Sequence, residues 1–289
     1  MEDHRNLYYA LSPMFTKIWG FMTSARNIPN LTIRLFEYSE DLAAHSTVYN
    51  DISPKVYNVI RRIGSERCDQ SIKPYKLLYI DPEEVSEFTR RRRPISRTGF
   101  GVIKGGDWDI RNKQQFGTSY PEPMEEYFNQ VYPSTEYNDY VFYKSLEKHF
   151  IEGVEWKNTE YIEICLHHLD KYSGPIWHGC KTENEIYERA SYVDELYDKI
   201  KSDGFKPYHE LEPKRLPKSR ANEVTVDIGR NGDFLFVDGR HRFSIARLIG
   251  IDRIPVAVLV RHEKWMETRK QYKKGEIKSD HPDFEALRP

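Results

Sequence analysis

Val224-Thr225-Val226-Asp227-Ile228-Gly229-Arg230-Asn231-Gly232-Asp233-Phe234-Leu235-Phe236-Val237 runs directly into Asp238-Gly239-Arg240-His241-Arg242-Phe243-Ser244-Ile245-Ala246, and this stretch decides the fold. Val224, Val226 and Ile228 alternate with Thr225 and Asp227, the two-residue period of a strand laid against a core. Asn231-Gly232 is the strongest short hairpin signal because both residues tolerate positive φ, and Phe234 to Val237 returns as the partner strand. After Gly239 the period becomes helical. Phe243, Ala246 and Ile249 share a face, Gly250 ends the helix, and Ile254 to Val260 forms a last strand.

The flanking sequence adds helices before this unit. Thr182 and Glu185 have the spacing of a capping box, and Ile186, Ala190, Val193, Leu196, Tyr197 and Ile200 keep helical spacing until Gly204. Over 159–172 an apolar face carries Ile162, Cys165, Leu166, Leu169 and Tyr172. Residues 31–36 and 75–80 read as short strands, and Asp81-Pro82-Glu83-Glu84 reads as a helix start. The segment 94–123, with Gly99, Gly101, Gly105, Gly106 and Gly117, is loop-rich.

Composition bounds the class. Of 289 residues 38% are hydrophobic and 31% charged, and mean hydropathy is −0.75, yet 13% are aromatic, so a core can be built from few large side chains. The net charge of −1 argues against a polybasic surface over the whole chain, although the charge is uneven. From Glu122 to Glu163 there are ten acidic residues against three Lys; from Lys214 to Arg247 there are eight Lys or Arg against four acids. Three cysteines form no disulfide framework, which predicts reduced thiols and a cytoplasmic setting. The apolar segment 7–22 is interrupted by Pro13 and Lys17 and is too short to span a membrane.

The Asp238–Arg242 loop has the make-up of an anion site. A helix start leaves its first N–H groups without intrahelical acceptors, its dipole favours negative charge, and Arg240 and Arg242 offer planar forks suited to phosphate. Gly239 permits close approach of the backbone, and His241 adds a donor or a proton-transfer group. A solvated basic helix start is the plain alternative.

This unit resembles the ParB/sulfiredoxin superfamily. The resemblance covers about residues 182–262: the helix running into Ile200-Lys201-Ser202-Asp203-Gly204-Phe205-Lys206-Pro207, the hairpin, the glycine-led basic loop, and the Ile254-Pro255-Val256 strand. It implies an α/β (α+β) fold, a small mixed sheet with helices of ParB/sulfiredoxin type, and here a mainly helical N-terminal region ahead of it. It also implies nucleotide phosphate binding by Gly239, Arg240, His241 and Arg242. Sulfiredoxins carry cysteine where this chain has Arg240, which argues against sulfinic-acid reduction. ParB proteins continue into DNA-binding helices, whereas roughly 30 residues follow the last strand here. Asp-Gly-Arg-His-Arg is most similar to the Asp-Gly-His-His-Arg of ADP-dependent free-serine kinases, which implies phosphoryl transfer with Mg²⁺ and ATP, ADP or CTP as the nucleotide. Asp238 is then the expected metal ligand and, with His241 and Glu223, a catalytic candidate. Glu183, Glu185, Glu210 and Glu212 are further positional candidates for the family's glutamate.

Two other constellations stand out. Arg90 to Arg93, followed by Gly105-Gly106-Asp107-Trp108-Asp109, suggests a substrate clamp in which Arg92 and Arg93 hold an acidic group, Asp107 and Asp109 bind hydroxyls or metal, and Trp108 stacks. Cys165, His167, His168, His178 and Cys180 crowd together, but their spacing matches no zinc knuckle and reads as core and loop. The expected organisation is an N-terminal substrate or partner region at 1–150, a nucleotide module at 151–265 and a polar tail at 266–289. The expected function is a kinase-like transferase that moves a phosphoryl group from a nucleotide to a small hydroxylated acceptor, an amino acid or a sugar. A ParB-like nucleic-acid-binding protein or nuclease and a non-catalytic nucleotide sensor are the alternatives.

Overall fold

The computed structural model describes residues 72, 76–91, 101–110, 122–172, 176–211, 223–285 and 287. In chain order the elements are β1 (Leu78–Ile80), β2 (Glu87–Phe88), β3 (Val102–Lys104), α1 (Glu122–Val131), α2 (Val141–Phe150), α3 (Glu160–Tyr172), α4 (Glu183–Asp203), short α5 (Tyr208–Leu211), β4 (Val224–Ile228), β5 (Phe234–Asp238), α6 (Arg240–Leu248), β6 (Ile254–His262), α7 (Glu263–Lys273) and one-turn α8 (Pro282–Glu285). The mixed α/β class expected from the period changes is the one observed. The expected strand at 31–36 lies outside the described residues.

The hairpin of β4 and β5 is antiparallel, with Val226 opposite Phe236 and Ile228 opposite Phe234. Its loop is longer than a two-residue turn. Gly229 N–H donates to Asp233 O at 2.9 Å, so 229–233 close as one unit, and Gly232 sits at φ +98°. A Cβ on Gly232 would come within 2.8 Å of the Trp265 ring, so the turn is glycine for both conformation and space.

β6 lies parallel to β4, and the order along the sheet is β1-β6-β4-β5-β2. The far edge of β6 is shared: Ile254 to Val256 pair antiparallel with β1, while Val260 to His262 pair parallel with β3. Strands from 78–104 thus belong to the same sheet as those from 224–262, and the expected division at 150/151 does not separate two sheets. A β-strand edge left open would expose its unpaired N–H and C=O groups, and the N-terminal strands close it.

β4 and β6 are buried along their whole length, on both faces. On one face Val224, Val226, Ile228, Phe236, Ile254 and Val256 join an aromatic core supplied by α1 to α4 and α6. Tyr137, Tyr140, Tyr161, Phe142 and Phe243 are fully buried there, as the aromatic content leads one to expect. On the other face Val102, Trp108, Leu235, Val237, Ala257 and Leu259 form a smaller cluster. Thr225 and Asp227, the polar half of the alternation, face this second layer and are buried. Asp227 accepts hydrogen bonds from Thr89 Oγ1 at 2.6 Å, Arg91 Nε at 2.5 Å and Val260 N at 3.0 Å, which satisfies a charge that would otherwise be costly to bury.

The polar tail expected at 266–289 is part of the folded body. Trp265, Met266 and Arg269 of α7 are buried, and Asp283 and Phe284 of α8 return to pack beneath them. Asp283 is the latch: its carboxylate meets Arg261 at 2.6 Å, Arg269 at 2.6 Å and the Trp265 N–H at 2.9 Å. A polar composition therefore concealed a buried charged network, which hydropathy alone scores as surface. Burial on its own pushes the Asp283 carboxyl up, but the two guanidinium groups and the indole N–H hold it well below the ordinary carboxylate range.

Asp283→Asn leaves two buried guanidinium groups without their counter-ion, so we expect a loss of about 3–5 kcal/mol in denaturant unfolding near neutral pH. The sign of the pH dependence follows from the lowered pKa. The stabilisation is present above the unfolded-state value near about 4 and is lost as pH falls through the lower folded value, so the difference between wild type and variant shrinks in acid.

Candidate functional site

The Asp238–Arg242 loop opens one side of a cleft of about 230 Å³. Gly239 is the N-cap of α6 in the left-handed conformation, φ +91°, and no side chain caps this helix start. A Cβ at Gly239 would lie 2.9 Å from Val224 Cα, a backbone atom that cannot swing away. The glycine thus brings β4 and the start of α6 together at the cleft. Across from the loop, α4 presents Arg189, Tyr192 and Leu196, three residues on one helical face, and the turn before α4 presents His178.

Arg240 is half-buried, and its guanidinium donates to Tyr132 Oη at 2.9 Å among stacked tyrosines; Tyr132 and Tyr140 lie 4.8 Å apart and nearly parallel. Arg189 lies over the Tyr192 ring at 5.4 Å. Neither arginine makes an ion pair with a described carboxylate, whereas Arg242 does. Arg242 donates to Glu223 Oε2 at 3.4 Å and to the Lys206 carbonyl, and its guanidinium covers the Phe205 ring at 4.4 Å. Glu223 also accepts the Tyr208 N–H at 2.5 Å. Both Arg242 and Glu223 line the cleft, where this buried carboxylate and buried cation pair with each other and fasten the 205–208 segment to the cleft wall.

His241 is buried, and its Nε2 accepts the Trp177 indole N–H at 3.0 Å. Burial, then His178, Arg240 and Arg189 nearby, holds its pKa well below the ordinary imidazole value, so the ring is neutral with Nδ1 protonated. His241 lines the cleft, and with Nε2 accepting from Trp177 its Nδ1 is the ring nitrogen left to donate. Asp238 is half-buried in the cleft, and its Oδ1 accepts the Gly239 N–H at 2.8 Å.

The second predicted cluster is not brought to this cleft. Arg92 and Arg93 lie outside the described residues, while Arg90 bonds Glu87 and Arg91 is spent on buried Asp227. Trp108 is buried in the second layer, where its indole N–H donates to Lys104 O at 3.3 Å, so it is core and not a stacking surface. Asp107 and Asp109 both clamp Arg230 of the hairpin loop, at 2.9 and 2.7 Å. Burial raises the Asp109 pKa, but the hydrogen bonds from Arg230 outweigh it and the net shift is downward. These carboxylates hold the Gly229–Asp233 turn and lie away from the Asp238–Arg242 cleft.

The Cys/His group is divided by the fold. Cys165 is buried beside Tyr127 and its thiol is pushed up to about 12 by burial, Cys180 donates to Trp177 O at 3.1 Å, and His178 lines the cleft. Arg189 was missed by sequence reasoning. Its signal was present in the Arg189/Tyr192/Leu196 spacing, but which face of α4 meets the loop is a tertiary fact.

Comparison with family models, curated proteins and solved structures finds no match to the chain. Among the described residues no helix is long and apolar enough to cross a membrane.

Gly239→Ala places a methyl against the β4 backbone in a strained φ region. We expect a measurable fall in melting temperature, read by thermal unfolding of the variant beside the wild type.

Proposed function

We propose that the chain binds the phosphate chain of a nucleotide in the Asp238–Arg242 cleft and passes a phosphoryl group to a small hydroxylated acceptor. The observation that carries the reading is convergence. An uncapped helix start, His241, and the cations Arg189 and Arg240, which make no ion pair with a described carboxylate, all line one cleft. A cleft of about 230 Å³ is below the range of roughly 300–1,000 Å³ usual for whole drug-sized ligands, so it suits a phosphate chain with the nucleoside at its rim. The resemblance of Asp238-Gly239-Arg240-His241-Arg242 to the free-serine kinase loop supports the same reading.

Each group then has a role set by its geometry. The N–H groups of the first turn of α6 and the Arg240 and Arg189 guanidinium groups hold non-bridging phosphate oxygens and stabilise charge that develops on them. His241 donates from Nδ1. Asp238 is the carboxylate that takes the proton of the attacking hydroxyl as its oxygen bonds to phosphorus and the bond to the departing nucleotide breaks. Glu223 and Arg242 act as positioning residues. Asp238 also fits as a ligand for Mg²⁺, since such ions use one or two carboxylates together with substrate phosphates, and the ion would neutralise phosphate charge when bound.

Thermal shift with ATP, ADP, CTP and GTP in the presence of Mg²⁺ tests binding. Saturating nucleotide at a hundred times its Kd stabilises by about 2.7 kcal/mol, and Arg189→Ala, a half-exposed residue with no ion pair to break, is expected to weaken binding at least tenfold without loss of fold. Stabilisation by none of the four, or equal stabilisation of Arg189→Ala, removes the phosphate reading. Turnover is read by release of nucleoside diphosphate or monophosphate. Asp238→Asn is expected to abolish it while retaining nucleotide binding, and binding without turnover in the wild type would identify a sensor instead.

A further inference from the structure

We propose that Glu126 on α1, with His167 and His168 on α3, forms a binding site for a divalent transition-metal ion of the zinc type, separate from the cleft. One ligand atom from each of the three residues lies within 4.8 Å of the others. Two imidazoles and a carboxylate are a donor set suited to zinc and its neighbours in preference to magnesium or calcium, which take oxygen ligands.

The independent observation is the state of His168. Its ring is fully buried, stacked on Tyr172 at 5.2 Å and edge-on to Tyr127 at 5.4 Å. Its Nε2 faces Gln130 Oε1 at 2.8 Å, and an amide oxygen only accepts, so Nε2 carries the proton. Nδ1 is therefore an unprotonated lone pair, and it is buried with no hydrogen-bond partner among the described residues. A buried acceptor left in this state costs roughly 1–3 kcal/mol, and a metal bond to Nδ1 removes that cost. Gln130 has the place of the outer carbonyl that fixes tautomer and ring orientation in metal-bound histidines.

Glu126 and His167 are exposed, which lets them close on an ion and leaves a coordination position for water. Bringing the three atoms to about 2.1 Å from one ion shortens their spacing to about 3.5 Å, a movement within reach of exposed side chains. The Glu126 carboxylate accepts from the Lys171 ammonium at 2.6 Å and from the Tyr172 hydroxyl at 2.7 Å. The Lys171 ammonium thus occupies the carboxylate that the ion needs, and metal binding exchanges one cation for another.

Cobalt titration of the full chain tests the site, because the visible absorption of Co²⁺ changes when nitrogen and carboxylate ligands replace water. The wild type is expected to show this band and to lose it on addition of Zn²⁺. His167→Ala and Glu126→Gln, both at exposed positions, are expected to weaken binding at least tenfold. Lys171→Met, which removes the competing cation, is expected to tighten it, and Arg189→Ala in the cleft is expected to leave it unchanged. Absence of the band, a band unaffected by His167→Ala and Glu126→Gln, or unaltered affinity in Lys171→Met overturns the proposal.

Discussion

A single carboxylate at the centre of the sheet, Asp227, sets what the rest of the molecule must do. It sits on β4 between β5 and β6 and is fully buried, so water cannot solvate its charge. Thr89 and Arg91 reach it from the chain after β2, and the Val260 amide reaches it from β6. An isolated ion in such a place would cost many kcal/mol, so the N-terminal segment has to cross the second face of the sheet to supply the cation. That crossing explains why residues far from the hairpin are part of its sheet. It also explains why β4 and β6 are covered on both sides although only one side of β4 is apolar in sequence.

The same need for compensation organises the other polar groups. Arg230 is held by Asp107 and Asp109, Arg242 by Glu223, Arg247 by Glu83, and Arg261 with Arg269 by Asp283. Against this pattern Arg240 and Arg189 differ, since each contacts a tyrosine and neither makes an ion pair with a described carboxylate. His241 remains neutral in this field because burial and the neighbouring cations disfavour a second charge. The cleft thus holds Arg189 and Arg240 beside the acid Asp238, while Glu223 is paired with Arg242.

Periodicity made much of the architecture legible. The β4–β5 hairpin, the α6 start at Gly239, the capping box at Thr182 and Glu185, and the strand from Ile254 all follow from neighbours a few residues apart, and each is found where the pattern puts it. The C-terminal tail was misread because Asp283 and Arg269 count as surface in any local scale, although together they form a buried latch. Trp108 was misread for a related reason. Paired glycines nearby suggest exposure, but its environment is set by Val102 and Leu235, which are distant from one another in sequence and meet only across the sheet.

From sequence alone come the mixed α/β class, the succession of hairpin, basic loop, helix and strand, and the helix start at Arg240. These depend on backbone conformation and side-chain alternation, which act within a few residues. Only the tertiary structure decides which charges remain for a ligand, because each choice of partner joins residues from separate elements. Arg242 and Arg240 are two positions apart on one helix, yet one is neutralised by Glu223 and the other faces a tyrosine. The difference arises from a helix turn of about 100° per residue, which points the two side chains at different walls of the cleft.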